Sequence, residues 1–140
     1  MNLQTITTAR KRLESAKYWH KAALEFREDD YSLVALRCLY LSFLQCMRSA
    51  LITIDIDPAE EEEVVDNFWN LFVVNGDFSD ALPLIKELYE IPIAMDFNDE
   101  YHPIEFGDSV CYYRTLTETL LNNVSCWIET KYLQILEANR

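Results

Sequence analysis

The side chains able to move protons or hold an anion are few and scattered. Two histidines, His20 and His102, are the only side chains that titrate near neutral pH without perturbation. Arg37, Arg48 and Arg114 could clamp an anion, and Tyr40 could donate to one. Nucleophile chemistry would need Cys38 or Ser42 within reach of one of these histidines, and local spacing places neither there.

Other chemistries lack their motifs. There is no GxSxG, no Walker loop, no dinucleotide fingerprint, no HExxH and no EF-hand. A carboxylate-bridged metal pair in a helical bundle needs an ExxH on each of two helices. Here Lys17 stands three before His20 and Asp99 three before His102. The four cysteines, Cys38, Cys46, Cys111 and Cys126, form no CxxC and have no histidine at ligand spacing. They read as small buried hydrophobes in a reducing cytosol. No metal, no cofactor and no catalytic residue is assigned. The run Glu60–Glu63 is not a metal cluster, because four consecutive helical residues point in four directions.

The elements that must position these residues are helices. Only two glycines, Gly76 and Gly107, are present in 140 residues, too few for the turns of an all-β fold. Residues 5–27 recur at three and four: Ile6, Ala9, Leu13, Ala16, His20, Ala23 and Phe26. A short link at 28–30 makes the second helix an antiparallel neighbour, with Asp30 as its N-cap. That second helix, to about Thr53, is apolar on nearly every side and must be buried by other helices. It is the organising element. Arg37, Leu41, Leu44 and Arg48 share one of its faces. Their cationic tips require water at the bundle surface or acids from elsewhere in the chain.

Asp57-Pro58-Ala59-Glu60 predicts a capped start for a third helix, which carries Val64, Val65, Phe68, Trp69, Phe72 and Val73 inward. Asn75-Gly76 predicts its end, with Gly76 in the left-handed position. A short fourth helix is expected over 79–89, then an acid-rich loop over 91–106. The last long helix is expected over 109–138, with Val110, Tyr113, Leu116, Leu120, Val124, Trp127 and Ile135 on one face. The expectation is all-α: an up-and-down four-helix bundle with one additional short helix, as a single domain over 1–140.

Charge narrows the partners. The formal net charge is −12, and residues 58–109 hold fourteen acids against Lys86 alone. Such a surface repels phosphate backbones, so nucleic acid is disfavoured. The basic cluster near the N-terminus follows no apolar run, unlike a signal peptide. Arg37 and Arg48 interrupt the best candidate for a membrane span. A cytoplasmic location is expected, with no membrane partner.

The stretch ARKRLESAKYWHKAALEFREDDYSLVALRCLYLSFLQCMRSALI resembles the first hairpin of HEPN domains. Ala16, Tyr18, Ala22, Leu24, Asp30, Tyr31, Ala35, Tyr40, Phe43, Ala50 and Leu51 carry that resemblance. DSVCYYRTLTETLLNNVSCWIETKYLQIL is similar to the family's last helix. The resemblance implies a prokaryotic helical bundle, commonly dimeric. Many members are ribonucleases marked by an Arg, four to six residues, then a His, and that chemistry implies a His that handles a proton and an Arg that stabilises phosphate charge. This chain lacks the motif: Arg114 is followed by TLTETLLNN, and seven residues separate Arg12 from His20. The resemblance therefore implies a non-catalytic, self-associating interaction module. A partner nucleotidyltransferase or a toxin–antitoxin setting accompanies such bundles. Two alternatives remain open: a divergent ribonuclease using His20 or His102 with an arginine, and a small-ligand or nucleotide-binding bundle. The candidate ligand or partner residues are His20, Arg37, Tyr40, Arg48 and Arg114.

Overall fold

A computed structural model describes residues 1–25, 32–74, 76, 78 and 103–140, with side chains at 32–33 and 103–110 left aside. The expected helix over 79–89, most of the loop over 91–106, and His102 lie outside these residues. The protein is an all-α helical bundle, and no strand occurs among the described residues.

Helix α1 (Leu3–Glu25) starts where Asn2 Oδ1 accepts the Thr5 N–H at 2.8 Å, a side-chain cap that satisfies one orphan donor of the first turn. Its buried stripe is Ile6, Ala9, Leu13, Ala16 and Ala23. Helix α2 (Ser32–Ile52) packs against α1, the last helix and the third helix. Phe43, Leu36, Leu39, Met47 and Leu51 are among the largest fully buried side chains of the protein. One lane of α2 keeps access to solvent: Val34, Arg37, Leu41, Gln45, Arg48 and Ile52. Arg37 and Arg48 do lie on one face with Leu41, whereas Leu44 turns into the core.

The α1–α2 seam is built from small residues. Ser42 Oγ donates to the Ala16 carbonyl and Ser49 Oγ to the Ala9 carbonyl, each at 2.7 Å and fully buried. A serine hydroxyl is one atom beyond Cβ, so it reaches the facing main chain only where two helices come very close. Each step of seven residues along α1 matches a step of seven back along α2. The same register sets Ala23 opposite Ala35, both buried. The hairpin is therefore antiparallel, as expected.

A Schellman motif ends α2. Ile56 N–H bonds the Leu51 carbonyl at 3.1 Å and Asp55 N–H bonds the Ile52 carbonyl at 3.0 Å. Asp55 fills the left-handed position, φ 60°, which usually belongs to glycine. The motif turns Ile56 back against the core and throws Asp57 toward α1.

Helix α3 spans Glu61–Phe68, with Glu60 as an N-cap that makes no side-chain cap bond. This corrects the expected start at Asp57 and Pro58. Those residues precede the helix, because the Asp57 carboxylate is taken by Arg12 and the Pro58 carbonyl by Arg48. Glu61–Glu63 still occupy the first turn, where the helix dipole favours acids. The helix continues as a π-helical segment, Trp69–Val74. Its wider turn brings Phe68 and Phe72 into a stack at 5.6 Å, joined by Phe78 and by Trp127 edge-on. Gly76 does not take the left-handed conformation expected of it. Its requirement is space: a Cβ there would lie 2.3 Å from the Leu71 carbonyl oxygen.

Helix α4 runs Pro103–Ala138 and begins six residues before the expected start. Pro103 suits a first turn, whose N–H groups have no partner anyway, so residues 103–106 are helix rather than loop. Thr117, Leu120, Leu121, Val124 and Ile128 are its buried face, with Tyr113, Leu116, Trp127 and Ile135 partly covered. It runs antiparallel to α1, since Arg10 meets Glu129 and His20 meets Arg114. Cys38 and Cys46 are buried as expected, but Cys111 and Cys126 are exposed. The latter two fall on the outer side of α4, where apolar content alone gives no face.

Three substitutions test this account by chemical denaturation. Ala16→Leu forces a large side chain into the seam and should cost roughly 1–3 kcal/mol, more than Ser42→Ala, which loses one hydrogen bond worth about 1 kcal/mol. Asp55→Gly should stabilise the protein by about 0.5–1 kcal/mol, because glycine adopts the left-handed position without a Cβ penalty.

Candidate functional site

The Schellman turn creates a polar cluster where α1, α2 and the approach to α3 meet. Arg12 holds Asp57 with two parallel bonds, Nη1 to Oδ1 and Nη2 to Oδ2, each 3.0 Å. Paired geometry of this kind is the strongest form of a guanidinium–carboxylate contact. Arg12 Nη1 also reaches the Arg48 carbonyl at 3.4 Å. Arg48 Nη1 donates to the Pro58 carbonyl at 2.8 Å and stands 3.9 Å from Asp57 Oδ1. The hydrogen bond from Arg12 holds the Asp57 carboxyl below its ordinary range, opposed by partial burial and helped by the charges of Arg12 and Arg48.

Beside this lane on α2, Tyr40 is buried and donates its hydroxyl to Glu61 Oε2 at 2.6 Å. Burial first, then the Glu61 carboxylate, push the phenol well above its ordinary value. In this contact the hydroxyl is the donor. Arg37 is exposed, with its guanidinium carbon 6.0 Å from the Tyr40 ring centre. Arg37, Tyr40 and Arg48 thus share one neighbourhood, and Arg12, Asp57 and Glu61 complete it. Tyr40 and Arg48 spend their polar atoms on holding α3 and its approach against α2.

His20 and Arg114 belong to a different seam, between α1 and α4. The His20 Nε2 lies 3.3 Å from the Arg114 main-chain carbonyl oxygen. A carbonyl only accepts, so Nε2 carries the proton in this contact. The histidine meets the main chain of Arg114, and the bond clasps two helices. One turn on, Thr117 is fully buried and its hydroxyl makes no hydrogen bond. Below, Arg10 Nε binds Glu129 Oε1 at 2.8 Å while its guanidinium stacks 3.9 Å above the Tyr132 ring.

Among the described residues no three His, Cys, Asp or Glu side chains converge where a metal ion could sit. A cavity of about 210 Å³ between Met1 and the end of α4 is lined by Lys131, Gln134, Ile135 and Ala138. It falls below the roughly 300–1,000 Å³ of small-molecule sites and none of the candidate residues lines it. No helix among the described residues is long and apolar enough to cross a membrane.

Residue types alone did not assign Arg12, Asp57, Glu61, Ser42 or Ser49 to these contacts. Arg12 and Asp57 are far apart in sequence, and no local pattern joins them. The serines could have been found: Ala9, Ala16 and Ala23 repeat every seven residues, as do Ala35, Ser42 and Ser49. No protein-family model, no curated protein and no solved structure matches the chain.

The depressed Asp57 value has a signed consequence. The pair stabilises the fold fully above the unfolded aspartate value, about 3.9, and the contribution is lost as pH falls through the lower folded value. Asp57 is half exposed, which limits the effect to about 1 kcal/mol. Asp57→Asn should therefore lower the denaturation midpoint at pH 7 and converge with the unsubstituted protein in strong acid. A constant difference across the pH range would contradict this role.

Proposed function

We propose that this chain is a non-catalytic, HEPN-like helical bundle that acts as a self-associating interaction module. A protein partner is part of the reading, in the setting of a nucleotidyltransferase or a toxin–antitoxin pair, and the location is the cytosol. One observation carries it most. His20 places its Nε2 3.3 Å from the Arg114 main-chain carbonyl, a contact that joins α1 to α4. That use is structural: an Nε2–H bonded to a main-chain carbonyl is engaged in holding two helices together.

The other polar groups support the same reading. Tyr40 is committed to Glu61, Arg48 to Pro58 and Arg12 to Asp57. The net charge of −12 disfavours an RNA backbone at the surface. The resemblance to HEPN hairpins supplies the expectation of self-association.

The test is an RNA-cleavage assay with and without divalent metal, on the unsubstituted protein and on His20→Ala. No cleavage is expected from either, and His20→Ala should lower only the thermal midpoint. Metal-independent cleavage abolished by His20→Ala would overturn the reading and restore the ribonuclease alternative.

A further inference from the structure

The stretch from Asp57 to Glu63 links α2 to α3 without burying an apolar side chain. Asp57, Ala59 and Glu60–Glu63 are exposed, and Pro58 is half-buried. Before it, Ile56 packs against the core. After it, Val64, Val65 and Phe68 enter the core. Among the described residues, 57–63 are therefore held between two apolar anchors by polar contacts alone. These are Asp57 on Arg12, the Pro58 carbonyl on Arg48 and Glu61 on Tyr40. Two features work against even these contacts. Five carboxylates fall within the seven residues and repel one another. Asp55, which turns the chain into the stretch, holds φ 60° without being glycine.

We propose that residues 57–63 form a strap that opens as one unit while the bundle stays folded, hinged at Asp55 and Val64. Apolar burial ties a segment to the global unfolding of its domain, and a segment that buries none opens locally at lower cost. The contacts are also linked, so the strap does not peel one bond at a time. Arg12 Nη1 bonds both Asp57 and the Arg48 carbonyl, and Arg48 Nη1 stands 3.9 Å from Asp57 Oδ1 while it bonds Pro58. With the strap closed, the Arg12 and Arg48 side chains are only 23% and 18% exposed. Opening uncovers both guanidiniums together, on neighbouring helices. The strap is thus a conformational device that sets when these two cations are accessible.

The Val64 amide reports the event, because its bond to the Glu60 carbonyl, 3.2 Å, breaks as the strap lifts. Native-state hydrogen exchange on the full chain compares it with the amides of Met47 and Leu51, two fully buried residues of α2. Val64 should exchange about tenfold faster or more, at a rate that low urea leaves unchanged, whereas the α2 rates rise with urea. Asp57→Asn removes a contact present only in the closed strap and should speed Val64 about fivefold. Ser42→Ala weakens the α1–α2 seam, which the open strap retains. It should speed Met47 and Leu51 and leave Val64 unchanged. Modification of Arg48 by phenylglyoxal, read by peptide mass, should rise in Asp57→Asn by the same factor as the Val64 exchange. Val64 exchanging in step with Met47 and Leu51 in all three proteins overturns the strap, since the stretch then opens only when the bundle unfolds. A Val64 rate indifferent to Asp57→Asn is fraying of the first helical turn and overturns it too. An Arg48 that stays unreactive while Val64 speeds up overturns the control of access.

Discussion

The close approach of α1 and α2 is the constraint on which the rest of the structure depends. Alanines on one helix and serines on the other leave no side chain thick enough to hold the two backbones apart. The serine hydroxyls then bridge to carbonyls of the facing helix, Ser42 to Ala16 and Ser49 to Ala9. Each bond satisfies a buried hydroxyl that would otherwise cost its full desolvation. Because the repeat is seven residues on both helices, the register admits no slip by one position without losing both bonds and burying larger side chains at the seam.

With α1 fixed to one side of α2, the remaining sides are allotted in turn. The apolar stripe of α4 covers a second, and α3 covers a third. One lane is left, and both arginines of α2 lie on it. The Schellman turn then sends the chain back across the end of this lane. Asp57 meets Arg12, the Pro58 carbonyl meets Arg48, and Glu61 meets Tyr40. The groups that look most like a ligand site in the sequence are thereby the fastenings of α3 and its approach. His20 plays the same part between α1 and α4.

Periodicity made the helices legible, since apolar residues at threes and fours mark a buried face whatever their partners. Ile6, Leu13, Leu120 and Val124 all lie where that pattern puts them. Termini were less legible. Asp57 has every local mark of an N-cap, but a bidentate arginine from another helix competes for the same carboxylate and wins. Gly76 has the local mark of a left-handed stop, yet steric approach to Leu71 explains it and Asp55 takes the left-handed position elsewhere. The candidate residues were legible as residue types and not as a constellation. His20 and Arg114 do meet, through a main-chain carbonyl that no side-chain pattern encodes.

The claim that the polar groups here hold helices together is tested most directly at His20. Nitrogen-15 NMR of the imidazole, with His102→Gln to leave one histidine signal, reports which ring nitrogen carries the proton in the neutral form. The account predicts the Nε2–H tautomer, fixed by the Arg114 carbonyl. An Nδ1–H tautomer, in which Nε2 has no proton to give the Arg114 carbonyl, would contradict it.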